Sequence, residues 1–326
     1  MRWTWQAAVL AVLLMSLWAA GTLAQTNYPT QVVKIIVGFP PGVAPDVVAR
    51  LLADEFSRAW DQPVVVENVT GAGSNIATDR VAKSTADGYT LLMGGNSALI
   101  FSPSLFDKLP YDPVKDFVPI SQVFVAANIL VVHPDLRATM LPELVALARA
   151  QPGKLTYGHA GVGTSQQLAA ELFKSLAHIE LQSVAYRGTT AVLPDLLAGR
   201  LSLSFANIVN ALPLVREGKL RALAVTSVMR SAAAPDLPTM AESGYPGFEA
   251  VPWFGLLAPA GTPAEVVEKI YRETVRCLGM PNVRKTFAEL GLDAVGNSPA
   301  EFSAVIRQEI PRWAVVIKSA KIKLNE

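Results

Sequence analysis

The stretch Val33–Asp46, reading VKIIVGFPPGVAPD, stops a β-branched apolar run at a Gly-Phe-Pro-Pro-Gly turn and then opens a helix. Near-continuous Val and Ile suit a parallel strand covered on both faces. Pro40 and Pro41 cannot extend a ladder, and Gly42 gives the backbone unusual freedom. From Asp46 onward, Val47, Leu51, Leu52 and Phe56 recur at helical spacing. A strand, a tight turn and a helix N-terminus aim several N–H groups at one spot, which favours a carboxylate or phosphate. The same strand–loop–helix logic returns in PVVVENVTGAGSNIATDRVAKS, YTLLMGGNSALIF and LTYGHAGVGTSQQLAAELFKSL. Such repetition points to an α/β protein whose parallel strands are flanked by helices.

At 326 residues the chain is long for one core, so two domains are expected. Residues 1–24 read as an export signal: Arg2 supplies the positive start, Ala7–Ala20 the apolar run, and Thr22-Leu23-Ala24 the cleavage site. Hydrophobic residues make up 51% of the chain, yet beyond that segment no apolar run approaches the roughly 20 residues of a membrane span. Lys and Arg number 28 and Asp and Glu 27, so losing Arg2 leaves the mature chain formally neutral, with no basic run to suit a nucleic acid. Cys277 is the sole cysteine and reads as a small packed apolar residue, which excludes an intrachain disulfide. His133, His159 and His178 are too scattered for a metal cluster by spacing. No cofactor is expected. In Gly71-Ala72-Gly73, Ile76 occupies the place where a dinucleotide fingerprint needs Gly or Ala.

VAANILVVHPD reads as a strand crossing into a second domain, and WFGLLAPAGTP as one crossing back. The boundaries expected from this are 25–126 with 251–326 for domain 1, and 127–250 for domain 2. Pro311 is expected to kink or break the last helix. Turns at Gly38–Gly42, Gly94–Ser97, His159–Ser165 and Tyr186–Gly188 follow strands, and ligands lie beyond the carboxyl ends of strands in open α/β sheets. Two sheets joined by crossing strands place these turns on facing walls of a cleft. Asp46 reads as a helix-start residue that steadies its turn. Thr164 and Ser165 either cap their helix or bind a ligand. Arg187 either clamps a carboxylate or stands at the cleft edge, and Tyr186 is either pocket wall or packing. A Ser165–His159–Asp195 triad can be written on paper, but Ser165 is not in a G-x-S-x-G elbow and nothing in the spacing orders it. The chain is therefore read as no enzyme, with an exported hydrolase using Ser165 as the alternative.

The motifs VGFPPGVAPD, VVVENVTGAGSNIA, DGYTLLMG, KDFVPIS, RAQPGKLTYGHAGVGTS, YRG, GKLRALAVTS, LAPAGTP and EIPRWAVVIK stand in one order from about Tyr28 to Lys323. In these the chain resembles the Bug-type periplasmic solute receptors of tripartite tricarboxylate transporters. The resemblance implies a two-domain, type II periplasmic-binding (Venus flytrap) fold, each domain a mainly parallel sheet flanked by helices. It implies a monomer in the periplasm that captures a small carboxylate: a di- or tricarboxylate, an amino acid or an aromatic acid. The implied partner is a membrane permease or a sensor kinase. An effector domain of a transcription factor with the same fold is disfavoured, because no helix-turn-helix precedes the first strand.

Carried over by position, the resemblance assigns Phe39, Pro40, Gly42 and Asp46 to the first jaw, where backbone amides hold a carboxylate. Asn96, Ser97, His159, Gly161, Thr164, Ser165, Tyr186 and Asn207 complete the implied site. The chain departs from the family pattern at Val43 (often Gly), His159 (often Ser), Gln167 (often His) and Ala206 (often Asp). Without that Asp, a plain or aromatic acid is favoured over an amino acid.

Overall fold

The computed structural model describes residues 27–186 and 191–322. The export segment, and Arg187 and Gly188 of the Tyr-Arg-Gly turn, lie outside the described residues. The strands are β1 Val33–Val37, β2 Val64–Asn68, β3 Thr90–Gly95, β4 Phe117–Ala126, β5 Asn128–Val132, β6 Thr156–His159, β7 Gln182–Ala185, β8 Leu203–Asn207, β9 Arg221–Val225, β10 Trp253–Pro259 and β11 Leu292–Ala294. They form two sheets, ordered β11-β4-β10-β3-β1-β2 and β7-β6-β8-β5-β9.

The α/β class holds, and each sheet is mixed, with most strands running one way and the crossing strands against them. In the first, β2, β1 and β3 are parallel, whereas β10 and β11 run antiparallel to their neighbours. In the second, β7, β6 and β8 are parallel and β5 is antiparallel to both β8 and β9. The cause is how the chain changes sheets. It leaves β4 at Ala126 and starts β5 at Asn128, which lies opposite Asn207 at the end of β8. It returns as β10, whose Phe254 lies opposite Gly95 at the end of β3. Each crossing strand thus enters a sheet at the edge where strands feeding helices end, and must run against them. The loops after β1, β3, β6 and β8 gather at these edges, where ligands of open α/β sheets lie.

Burial explains why these segments are strands and helices. Val33, Ile35, Ile36 and Val37 are buried while Lys34 is exposed, as expected of a strand covered on both faces. Val48, Leu52 and Phe56 of the helix Ala44–Trp60 pack with Val33, Ile35 and Val37, together with Ile270 and Cys277. Cys277 is fully buried, and burial pushes its thiol up to about 12. On the other face, Ile36 and Leu92 belong to an apolar cluster that runs on through Phe302 and Ile306 to Leu130 and Phe205 of the second sheet and Phe173 of the helix Ser165–Ala177 packed on it. The helix Pro299–Ser319 therefore ties the two sheets together. Contrary to expectation, it passes through Pro311 without a break. Phe302 and Ile306 before the proline, and Trp313, Val316 and Ile317 after it, are all buried, so packing on both flanks outweighs the missing hydrogen bond.

Candidate functional site

The loops after β1 and β6 are built on one plan. The helix Ala44–Trp60 has Val43 as N-cap and Asp46 at its third position, and the helix Ser165–Ala177 has Thr164 as N-cap and Gln167 at its third position. In each, the third-position side chain reaches back to the N–H of the glycine before the N-cap. Gly42 N–H donates to Asp46 Oδ2 at 2.8 Å, and Gly163 N–H donates to Gln167 Oε1 at 2.8 Å. Both glycines have left-handed backbone, with φ of 85° and 75°, which lets the chain turn sharply into the helix. This variant of a capping box spends one N–H on the loop. The Ser165 and Gln166 N–H groups stay at the helix start without intrahelical acceptors.

The first loop is locked by charge. Asp46 is 2% exposed, and its carboxylate also accepts Arg50 Nε at 3.1 Å, Arg50 Nη2 at 2.9 Å and Asn68 Nδ2 at 2.8 Å. Asn68 Nδ2 further donates to the Phe39 carbonyl at 2.9 Å. Burial pushes the Asp46 carboxyl up, but Arg50, the Gly42 amide and Asn68 outweigh it and hold it below the usual carboxylate range. Asp46 therefore sets the jaw rather than facing a ligand. The helix starts at Ala44, two positions before the expected Asp46, with Pro45 in the first turn. Phe39 packs edge-on to Phe254, with ring centroids 5.3 Å apart.

The second loop is held by neutral groups. Thr164 Oγ1 donates to the Gly161 carbonyl at 2.7 Å. His159 is 1% exposed, with Nδ1 2.8 Å from the Gly161 carbonyl and Nε2 2.9 Å from Ser183 Oγ. Burial lowers its pKa from the ordinary histidine value. Both ring nitrogens are thus committed beneath the loop and His159 does not serve Ser165. Asp195 is likewise committed, to Tyr186 Oη at 2.5 Å and to Arg200. The residues of the paper triad make other bonds, and that constellation is not formed.

A cleft of about 1340 Å³ is lined from both sides. Phe39, Ala72, Gly73 and Ser97 come from the first sheet's loops, and Val162, Gly163 and Thr164 from the loop after β6. Of the expected residues, Phe39, Ser97 and Thr164 reach this wall. The others fall elsewhere. Pro40 and Gly42 are exposed on the first loop, and Gly161 and Ser165 are half-buried on the second. Asn96 is buried and donates through Nδ2 to the Val251 carbonyl at 3.0 Å, fastening β3 to the returning segment. Asn207 caps the helix Ile208–Arg216 by accepting the Val209 N–H at 3.0 Å. Ala206 is buried in the core of the second sheet, packed with Ile129 and Ile208. A second concavity of about 1040 Å³ lies between that helix and the segment from Val275 to Gly296. The loops after β1 and β6 do not line it, so the cleft between those loops is the stronger candidate.

Sequence reasoning missed Arg50 and Asn68, which anchor Asp46, and Leu105, which lies across the cleft from Gly163. A signal for Arg50 was present in its i, i+4 spacing from Asp46. Nothing local marks Leu105.

A model of the tripartite tricarboxylate transporter family receptor (TctC) matches residues 48–322. The chain belongs to that family. Protein BugT of Bordetella pertussis is 37% identical over 319 residues, covering 98% of each chain. Among solved structures, R. palustris Rpa4515 with adipate superposes with a TM-score of 0.78 at 36% identity, covering 91% of this chain and 100% of that one. MatC (Rpa3494) of Rhodopseudomonas palustris with bound malate gives 0.74 at 32% identity, covering 89% and 100%. The TctC-family receptor described here is thus a solute-binding protein with the periplasmic-binding fold, from a family of receptors rather than of enzymes.

Proposed function

We propose that this receptor is exported to the periplasm, captures a small carboxylate in the cleft between the loops 38–46 and 159–167, and delivers it to the permease of a tripartite tricarboxylate transporter. The observation that supports the reading is the cleft that Phe39 of the first loop shares with Val162, Gly163 and Thr164 of the second, two loops that each lead into a helix N-terminus closed by the same glycine-to-third-residue bond. Helix starts attract anions through unpaired N–H groups and the macrodipole. Adipate and malate in two similar receptors support a carboxylate as the anion.

Capture needs no bond-making step. Residues 25–126 with 251–326 act as one lobe and 127–250 as the other, closing about the crossings at Ala126–Asn128 and before Trp253. Each amide or water-mediated hydrogen bond contributes about 1 kcal/mol net, more when charge-assisted. Several together reach about −8 kcal/mol, a micromolar Kd. Thermal-shift screening of mono-, di- and tricarboxylates, amino acids, sugars and cations tests this, with calorimetry on the hits. Stoichiometric binding of an unconsumed carboxylate is expected. A melting temperature raised by sugars or cations alone would contradict the ligand class.

A further inference from the structure

The second concavity and the cleft lie on opposite sides of the crossing strands. The ends of the helices Pro299–Ser319 and Ser165–Ala177 line the cleft, and these helices pack on the sheet faces that carry Ile36, Leu92, Leu130 and Phe205. The helices Ala264–Leu278 and Pro281–Glu289, which line the second concavity, pack on the opposite face of the first sheet with Ile35 and Val37. Its remaining wall, the helix Ile208–Arg216, packs on the opposite face of the second sheet with Ile129 and Val131. Residues 126–128 and 250–253, which join the sheets, therefore run between the two concavities. A rotation about them that narrows the cleft widens the other.

The two lobes touch within this second concavity. Gly291, in left-handed backbone with φ of 59°, sits against the start of the helix Ile208–Arg216. A Cβ there would stand 2.9 Å from Val209 Cγ2 and 3.2 Å from Ile208 Cγ2. Both sides of the contact are anchored. Leu292 pairs with Ala126 in the first sheet, while Ile208 is fully buried and its N–H donates to the Ala127 carbonyl at 3.1 Å. Val and Ile in a helix are also stiff at χ1, so their methyl groups do not swing aside. The contact stands beside the crossing, where a small change in spacing becomes a larger displacement at the lips of the cleft.

We propose that the contact of Gly291 with Ile208 and Val209 is a spacer that sets the lobe angle, so that bulk added to it favours the closed cleft and bulk removed favours the open one. The inference rests on the reading that the lobes close on a carboxylate about these crossings. The test compares wild type, Gly291→Ala, Val209→Ala and the double substitution in the mature protein. Calorimetry with adipate and malate reads affinity, and small-angle X-ray scattering without either acid reads the lobe angle. Gly291→Ala places a methyl group at a crowded, left-handed position and should lower the melting temperature. It should nevertheless bind about tenfold tighter and have a smaller radius of gyration, because a preformed closed state removes the cost of reaching it. Val209→Ala should bind about threefold weaker and have a larger radius, and the double substitution should return both values close to wild type. Binding by Gly291→Ala no tighter than wild type would overturn the spacer; if that variant does not fold, unchanged affinity and radius in Val209→Ala would do so. Tighter binding that survives the added Val209→Ala would overturn the assignment to this contact. Equal radii across the set would overturn the spacer whether or not the acids bind. If wild type binds no acid and the radii still follow the expected order, the carboxylate reading falls and the spacer stands.

Discussion

The loops after β1 and β6 share a backbone plan and differ in charge. In the first, the residue that closes the loop is the carboxylate of Asp46, already neutralised by Arg50 and tied to Asn68. In the second it is the neutral amide of Gln167, and a hydroxyl, Thr164 Oγ1, braces the turn. An anion at a helix start stabilises that start, so the first helix has its counter-charge built in, whereas the second keeps its positive end uncompensated. The first jaw is therefore the more heavily braced one, and under the proposed function the second holds more attraction in reserve for a carboxylate. The family resemblance assigned the carboxylate to the first jaw, and the charge distribution gives the second an equal claim.

Removing the built-in charge should have the largest effect. Asp46→Ala leaves Arg50 and Asn68 without their acceptor and is expected to cost about 3 kcal/mol of stability in urea unfolding. Gln167→Ala, which removes one neutral bond, should cost only about 1 kcal/mol. The glycines should part in the same way. A Cβ at Gly163 would stand 2.7 Å from Leu105 Cδ1 across the cleft, whereas one at Gly42 meets nothing within 4 Å. Gly163→Ala is thus expected to weaken binding by about 2 kcal/mol and Gly42→Ala by about 1 kcal/mol. Leu105→Ala should restore part of the loss at Gly163 and none at Gly42. Copying the first jaw's charge into the second is the next step down. Gln167→Glu places an uncompensated anion at the helix start and should weaken carboxylate binding about tenfold by calorimetry.

The smallest effect separates the jaws by pH. His159 has a lowered pKa, so its contribution is complete above the ordinary histidine value of about 6.5 and declines as the pH falls below it. The lowered carboxyl of Asp46 keeps its contribution down to about pH 4 and loses it only below that. The stability gap between wild type and His159→Gln should therefore shrink from pH 7 to pH 5, while the gap to Asp46→Asn stays constant over that range. Burial also pushes Glu309, which accepts the Trp253 indole N–H at 2.8 Å, up to about 7, so only differences between variants isolate each loop.

Much of the fold was legible because its signals are local. The β-branched run before Gly38, the recurring strand–loop–helix pieces and the crossing segments at Ala126–Asn128 and Trp253 all appear in the sequence as apolar period and turn chemistry. The direction of β10 was not legible, because it depends on the edge at which the chain re-enters its sheet. Pro311 misled for a related reason: propensity favours a break, and Trp313 and Ile317, buried against distant residues, oppose it. At the cleft, the sequence singled out loops that line it but not the orientation of their side chains. His159 and Asn207 look like ligand contacts on paper, yet one is braced beneath its loop by Ser183 and the other caps a helix. Those partners lie on other strands or in backbone geometry, where residue type alone gives no indication.

The central claim is that the helix starts at these two loops hold the ligand. Amide-resolved NMR of the deuterated mature protein, titrated with the best carboxylate from the screen, tests it directly. The predicted result is that the largest shifts fall on Val43, Ala44, Ser165 and Gln166, with smaller ones on Gly42 and Gly163, whose N–H groups are already engaged. Shifts concentrated instead on Ile208, Val209 and the Gly291–Gly296 segment would place the ligand in the second concavity and contradict the account.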